Sequence, residues 1–255
     1  SVNLPYGAHE NPIPPMEHAN QIWEAGEMPP ISQSAFMADD QQIREAMALT
    51  AGMITMIDDQ IGRIVKSLKD SGHYENTVII FTSDHGDYLG DFNMLLKGPL
   101  QLPSITRVPM IWSDPKSRAA VLTEAMASAI DVSASILDRA GLEPFNGIQG
   151  RSFLNALDGK SSHRDEVCIE HNDGGPRMGL KQAARVRTIR NKKWRFSVFA
   201  GENWGELYDL EDDPKETKNL WHDPIYSQQK AYLSLQLVEY LTFQMDESPR
   251  AMRLA

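Results

Sequence analysis

The sequence predicts an α/β protein in which part of a mixed sheet, flanked by helices, precedes a small four-stranded antiparallel α+β subdomain. Two observations favour this fold class. A continuous apolar run, Val78 to Phe81, follows a long segment of helical periodicity and is typical of a strand covered on both faces. After Gly159 the pattern changes to short strands with close turns, as in an antiparallel meander. We therefore expect two domains, residues 1–160 and residues 161–255.

The first domain begins with residues 1–38, which are rich in proline and polar side chains and are expected to form a loop. Apolar residues then recur at helical spacing, which predicts one long amphipathic helix from Asp40 to Lys69, ended by Ser71 and Gly72. The methionines of this helix are expected to fill the core: Met47, Met53 and Met56.

The rest of the first domain should complete one layer of the sheet. Val108 to Trp112 predicts a second strand of the same sheet as Val78 to Phe81. Two covering helices are expected, over Ala119–Ile130 and Val132–Arg139, with Gly141 stopping the second.

The second domain should consist of four short strands and one helix. The strands are expected over Val167–Glu170, Ala184–Arg190, Trp194–Phe199 and Glu206–Asp209. The helix is expected over Ser227–Phe243, and it should cover the sheet with one face that contains Tyr232, Leu235, Val238 and Leu241 or Thr242.

The composition is that of an ordinary globular protein. With 255 residues, of which 41% are hydrophobic and 24% charged, the chain can bury a sizeable core. The net charge of -10 disfavours binding to nucleic acid or to an anionic membrane, because both require a basic surface. No apolar stretch approaches the ~20 residues of a membrane span. The compartment stays open between periplasm, exterior and cytoplasm.

Three chemically capable side chains follow the first predicted strand. Asp84 and His85 come directly after it, and Lys97 enters a Gly-Pro turn further along. A carboxylate and an imidazole on one turn can share a divalent cation if Gly86 lets the backbone bend tightly. The lysine could then neutralise an oxyanion or a departing oxygen. Asp-His-Gly is also ordinary turn chemistry, with Asp84 capping a turn and His85 merely exposed, so both interpretations stay open.

A longer string around these residues resembles the signature of a known family. The run FTSDHGDYLGDFNMLLKGP, followed by ITRVPMIW, is similar to the signature of the sulfatase family within the alkaline phosphatase superfamily, which includes arylsulfatases and phosphonate monoester hydrolases. Further segments resemble the family in the same order: IDDQIGRIVKSLKDSGHYENT, DVSASILDRAGL, IQGRSFLNALDGK and GELYDLEDDPKETKNL. The resemblance runs from about Arg44 to the end of the chain. The sequence thus looks like the C-terminal part of a sulfatase.

The resemblance implies a role for each of the three side chains. Asp84 and His85 would bind one divalent metal ion, and Lys97 would contact the sulfuryl or phosphoryl oxygens and the leaving oxygen of a small anionic ester. Many sulfatases have asparagine where His85 stands. An imidazole nitrogen shifts the expected ion toward manganese or zinc, while calcium and magnesium stay open.

The nucleophile that the resemblance implies is not in this sequence. Family members convert a cysteine or serine, within Cys/Ser-x-Pro/Ala-x-Arg, to formylglycine. The only cysteine here, Cys168, lies in DEVCIEH and is expected to be a small buried side chain. We expect the formylglycine motif in a missing N-terminal part and expect the isolated chain to be inactive.

The activity implied by the resemblance is metal-dependent hydrolysis of sulfate esters, to which this chain would supply part of the active site. One alternative is hydrolysis of phosphonate or phosphate esters within the same superfamily. The other is a non-catalytic fragment with a structural or binding use. Whether the protein forms a homo-oligomer stays open.

Overall fold

The computed structural model describes residues 9–27, 35–145 and 147–244. Within these ranges the chain forms two compact units. The first contains the described residues up to Ala119 together with His171–Val186 and Lys215–Asn219, and the second contains the described residues of Ala120–Glu170, Arg187–Pro214 and those from Leu220 onward. A domain boundary at residue 160 stays a prediction.

The first unit opens with regular structure inside the region expected to be a loop. Helix α1 spans Pro14–Glu24. It begins with two prolines because their missing N–H groups and fixed φ suit the first helical positions. Strand β1 (Ala35–Met37) pairs antiparallel with β3 (Met94–Leu96). The expected loop was therefore wrong for these segments, while residues 1–8 and 28–34 lie outside the described residues.

The long helix is confirmed as α2, Asp40–Asp70, and its N-terminus is closed by a capping box between Asp39 and Gln42. The expected burial of its methionines was wrong for Met53 and Met56, which are 57% and 68% exposed. Met47 packs partly against a small cluster of Ala38, Ile43 and Leu95 near the start of the helix. Helical periodicity predicts an apolar face, but it does not say what packs against that face.

The second expected strand is also confirmed, because β2 (Ile79–Thr82) pairs with β4 (Met110–Ser113). The pairing is antiparallel, with Ile80 opposite Trp112, so the described residues form a two-stranded ladder here and not a mixed sheet. Burial of β2 on both faces was wrong. Its apolar side chains are only half-buried, since β4 is its one neighbour among the described strands.

Arg118 connects the end of the β2–β4 ladder to the segment before β2 through hydrogen bonds and a cation–π contact. Its guanidinium donates to Ser113 Oγ at 2.7 Å and to the Thr77 carbonyl at 3.2 Å. The same group lies 3.9 Å from the centre of the Tyr74 ring. These contacts define where β2 begins, and therefore where the loop after it emerges. A short helix, α3 (Pro103–Thr106), precedes β4.

In the second unit, α4 spans Asp131–Ala140 and ends at Gly141, whose φ of 71° is left-handed. The expected helix over Ala119–Ile130 was wrong, because this segment is irregular. The Asp131 carboxylate explains the boundary, since it accepts from the Ser128 N–H at 2.9 Å and so closes a turn directly before α4. The Arg151 N–H also donates to this carboxylate, at 2.8 Å.

The four-stranded antiparallel sheet is confirmed, with its strands in chain order. They are β5 (Glu166–Asn172), β6 (Arg185–Asn191), β7 (Trp194–Phe199) and β8 (Gly205–Asp209). Helix α5 (Ser227–Phe243) has the expected bounds.

The buried face of α5 differs from the expected one. Leu233 and Leu237 pack against the sheet through Ile189, Phe196 and Leu207. Three of the expected residues, Tyr232, Leu235 and Val238, are 55–59% exposed, whereas the expected Leu241 packs partly against this cluster. The expected stripe and the observed stripe of α5 are both apolar. The buried one contains Leu233 and Leu237, which are four residues apart and therefore lie on the same face of the helix. Among the described residues, no helix is both long and apolar enough to cross a membrane.

Candidate metal and anion site

The turn after β2 is organised by short-range hydrogen bonds around Asp84. Ser83 Oγ donates to the His85 carbonyl at 2.9 Å, and the His85 N–H donates to Asp84 Oδ1, also at 2.9 Å. The hydrogen bond from the His85 backbone, together with the nearby His85 ring, holds the pKa of Asp84 below its ordinary value. The carboxylate is therefore ionised at neutral pH, and its side chain is 83% exposed.

Gly86 allows this turn to pack closely against α3. Its N–H donates to the Ile105 carbonyl at 2.9 Å. A Cβ at this position would lie 1.8 Å from the Ser104 carbonyl oxygen, which no side chain can tolerate. Glycine is therefore required here because no space is left for a Cβ. Without a side chain at Gly86, the peptide between His85 and Gly86 packs directly against the backbone of α3.

The His85 ring has a defined orientation. Nδ1 lies 2.7 Å from the Gly86 carbonyl oxygen. Because a carbonyl only accepts, Nδ1 carries a proton, and because the Lys97 ammonium only donates, its contact with Nε2 requires a lone pair on that nitrogen. Nε2 lies 2.6 Å from Lys97 Nζ and 3.5 Å from Asp84 Oδ2. Carboxylate, imidazole lone pair and ammonium thus converge at one point.

Lys97 reaches this point because the chain between the two groups folds back as a hairpin. Asp87 Oδ1 accepts from the Leu89 N–H at 2.8 Å and from the Leu96 N–H at 3.1 Å, joining the two arms. The Tyr88 N–H donates to the Leu96 carbonyl at 2.7 Å. Several non-glycine residues of this hairpin have left-handed φ: Leu89, Phe92, Asn93 and Leu96. Such backbone strain is often found at functional sites.

Asp84 and His85 fit a shared divalent cation as a partial ligand set. Two metal–ligand bonds of about 2.1 Å at a tetrahedral angle separate the ligand atoms by about 3.4 Å, close to the observed 3.5 Å. Among the described residues, no group of three or more His, Cys, Asp and Glu side chains could hold a metal ion. This part of the chain therefore offers two ligands, and a complete shell needs others.

All three side chains that meet here were predicted from the sequence, but the residues that bring them together were not. Asp87 accepts from both arms of the hairpin, and this role depends on register, which its residue type does not reveal. The role of Tyr88 was not predicted either. Its hydroxyl accepts from the Leu100 N–H at 3.1 Å, and only 1% of the residue is exposed. An aromatic residue two positions after Gly86 was the available signal.

Comparison with known proteins makes the family of this α/β protein definite. Residues 8–142 match the family model described as Sulfatase. Residues 95–242 match the model described as N-sulphoglucosamine sulphohydrolase, C-terminal. Each match covers more than half of the chain. The protein belongs to the sulfatase family of the alkaline phosphatase superfamily, which confirms the resemblance seen in the sequence.

Individual relatives agree with this assignment. The chain is 31% identical over 204 residues to an arylsulfatase of Clostridium perfringens, a match that covers 78% of this chain and 40% of that protein. The crystal structure of a phosphonate monoester hydrolase from Agrobacterium radiobacter matches with a TM-score of 0.69 and 30% identity, over 78% of this chain and 41% of that one.

A third match shows a relative with its substrate. This structure, in complex with D-glucosamine-2-N,6-O-disulfate, has a TM-score of 0.64 and 26% identity, over 77% of this chain and 40% of that one. In all three cases the chain spans about 40% of the relative's length.

Proposed function

We propose that this chain forms the metal- and leaving-group-binding part of a metal-dependent sulfate ester hydrolase. The observation that supports this most strongly is the convergence of Asp84 Oδ2, His85 Nε2 and Lys97 Nζ, with the lysine 2.6 Å and the carboxylate 3.5 Å from the imidazole nitrogen. Membership of the sulfatase family gives this arrangement its chemical context.

Asp84 and His85 are the residues that would hold the ion. The bond from His85 Nδ1 to the Gly86 carbonyl keeps the Nε2 lone pair available and oriented, in the manner of an outer-shell partner of a metal ligand. The lowered pKa of Asp84 keeps its carboxylate charged. A bound divalent cation would supply positive charge that stabilises the ester oxygens and activates the nucleophile.

Lys97 would change partners between the two states of the site. The single Nε2 lone pair of His85 can accept from Lys97 or bind a cation, but not both. With a cation on His85, the Lys97 ammonium would be free to donate to oxygens of the substrate. A donor placed there stabilises the charge that develops on the transferred group and on the departing oxygen.

Metal dependence can be tested in a complete protein that contains this chain. We expect Asp84→Asn and His85→Ala each to weaken binding of Mn²⁺ by about tenfold or more, since each removes a direct ligand. Asp70→Asn, at the exposed end of α2, serves as the control and should bind Mn²⁺ like the parent. Titration calorimetry that gives the same Mn²⁺ affinity for all four proteins would refute these ligands.

The nucleophile has to come from outside these residues. The sequence contains no Cys/Ser-x-Pro/Ala-x-Arg segment. Covalent attack cannot be replaced by binding alone. The isolated chain should therefore hydrolyse 4-nitrophenyl sulfate no faster than buffer does, whereas a protein that also contains the formylglycine motif should turn it over.

Hydrolysis of phosphonate monoesters is the second candidate, and the phosphonate monoester hydrolase of 30% identity favours it. Sulfate monoesters and phosphonate monoesters each carry one negative charge, whereas phosphate monoesters carry up to two, so the total positive charge around the ion separates phosphate monoesters from the other two classes. The test is a comparison of kcat/KM for 4-nitrophenyl sulfate and 4-nitrophenyl phenylphosphonate with one complete enzyme. A higher value for the phosphonate would replace the first proposal with the second.

A further inference from the structure

Two buried side-chain oxygens near the site, one on Asp91 and one on Ser104, have no partner with hydrogen-bond distance and angles in the described part of the chain. Asp91 is 2% exposed, and its Oδ2 is unpartnered. Ser104 Oγ is likewise buried and unpartnered. Both residues line one cleft of about 590 Å³ in the first unit. Leaving a buried polar atom without a hydrogen bond costs about 1–3 kcal/mol, so the pair needs a physical explanation.

Ser104 is in direct contact with the turn that carries His85. Its carbonyl oxygen occupies the space where a Cβ of Gly86 would be, 1.8 Å from that position. The next residue, Ile105, accepts the hydrogen bond from the Gly86 N–H. A movement of α3 would therefore move Gly86, whose carbonyl orients the His85 ring.

Asp91 belongs to the hairpin that carries Lys97. Its N–H donates to the Tyr88 carbonyl at 2.9 Å. The Gly90 N–H donates to the Met94 carbonyl at 2.8 Å, which closes the turn around Asp91. The following residues, Phe92 and Asn93, have φ of 50° and 61°. The turn is therefore strained, and such a conformation persists only when surrounding contacts hold it.

The charge on Asp91 is unfavourable in this position. Burial raises its pKa to about 6; the Ser104 hydroxyl partly lowers it, and the Glu216 carboxylate raises it further. The charged side chains that line the same cleft are Asp87 and Arg107. His9 also lies close, with its ring centre 5.1 Å from that of Phe92. A carboxylate retained in a costly position is more typical of function than of packing.

We infer that Asp91 and Ser104 form a brace between the Lys97 hairpin and α3, and that this brace sets the separation of Lys97 and His85. Ser104 Oγ–H donates to Asp91 Oδ2 after a small side-chain rotation, which satisfies both atoms. The two are positioning residues, since neither touches the reacting groups. This inference rests on the proposed function, because it concerns how the residues of that site are held.

The test uses backbone amide hydrogen exchange in this chain, so it requires no activity. Asp91→Ala and Ser104→Ala should each speed exchange of the Gly86 and Leu96 N–H groups by about tenfold or more, the equivalent of one lost buried hydrogen bond. Asp91→Asn is the matched control, because its amide oxygen can still accept from Ser104. It should exchange like the parent. The Leu220 N–H, bonded to the Leu207 carbonyl at 2.8 Å in the second unit, reports global loosening and should not change.

A pH series separates a positioning role from a merely structural one. In the parent, the amide chemical shifts of Ser104 and Leu96 should show a transition near pH 6 that is absent from Asp91→Asn. Unchanged Gly86 exchange in both alanine variants would overturn the brace. So would equal acceleration of Leu220, exchange in Asp91→Asn as fast as in Asp91→Ala, or no difference between the two pH profiles.

Discussion

Lys97 Nζ lies 2.6 Å from Nε2 of His85, so two cation-forming side chains meet across a hairpin. The contact is favourable because His85 Nδ1–H donates to the Gly86 carbonyl while Nε2 accepts from the lysine. The ionised Asp84 nearby adds negative charge that attracts the ammonium. An imidazole lone pair beside a carboxylate is suited to a cation, and here the Lys97 ammonium occupies that position.

Gly86 should not tolerate a side chain. In Gly86→Ala the new Cβ would overlap the Ser104 carbonyl, so the backbone of the turn or of α3 must shift. We expect a loss of about 1–3 kcal/mol in the free energy of unfolding, the usual cost of overpacking. Urea denaturation measures it.

Gly62→Ala is the control for this variant. Its Cβ would meet nothing within 4 Å, and Gly62 lies inside α2. The substitution should stabilise the protein by about 0.5–1 kcal/mol because alanine loses less backbone entropy than glycine in a helix. Equal behaviour of the two variants would contradict the close approach at Gly86.

Asp131 should make the protein sensitive to strong acid. Burial opposes ionisation of this fully buried carboxylate, but hydrogen bonds from the Arg164 guanidinium, from the N–H groups of Arg151 and Ser128, and from His163 hold its pKa at about 2, below the ordinary 3.8. A lowered pKa means that the stabilisation is present above about pH 4 and is lost as the pH falls toward 2. The loss amounts to about 2 kcal/mol.

This acid sensitivity can be assigned to Asp131 by substitution. Thermal unfolding of the parent and of Asp131→Asn from pH 7 to pH 2 should show the variant less stable at neutral pH, with the difference shrinking below pH 4. A difference that stays constant over the whole range would mean that another group titrates.

Arg195 and Glu206 form a fully buried ion pair on β7 and β8, with Nη1–Oε2 at 2.9 Å and Nη2–Oε1 at 3.0 Å. Arg195→Met should cost about 3–5 kcal/mol, because it leaves the Glu206 carboxylate buried without its cation. The double variant with Glu206→Met should lose less than the sum of the two single variants.

An exposed ion pair in the same protein provides the contrast. Lys66 and Asp70 lie one turn apart on α2, with side chains 72% and 62% exposed. Lys66→Ala should cost less than about 0.5 kcal/mol in the same urea titration. A cost for Arg195→Met as small as this one would show that the buried pair contributes little.

Helices and strands that are marked by the spacing and type of neighbouring residues were predicted from the sequence. The capped and terminated helix α2 and the apolar strand β2 followed from spacing and from end signals. The turn-rich meander of β5 to β8 did so as well. The predictions that were wrong concern which faces of these helices pack against other parts of the protein. The stripe of Leu233 and Leu237 and the exposure of Met53 depend on partners distant in the chain, which periodicity does not specify.

The same division applies to the candidate site. Asp84 and His85 are adjacent, so their proximity was predictable from the strand end. The meeting of His85 with Lys97 needs the hairpin that Asp87 joins, and the Asp91–Ser104 pair needs α3 to fold against Gly86. These are contacts between segments, and single residue types carry no signal for them.

Measurement of kcat/KM for Lys97→Ala tests whether Lys97 stabilises the transferred group and the departing oxygen of the ester. The enzyme should be a complete protein containing this chain, and the substrate a sulfate ester with a poor leaving group. Loss of one oxyanion-stabilising donor should lower kcat/KM by about 10² or more, with little change in stability because the lysine is exposed. The loss should shrink for 4-nitrophenyl sulfate, whose departing oxygen needs less stabilisation. Lys116→Ala, an exposed lysine after β4, is the matched control and should keep full activity. Equal activity of Lys97→Ala, Lys116→Ala and the parent on the poor-leaving-group ester would contradict the assignment of Lys97 to catalysis.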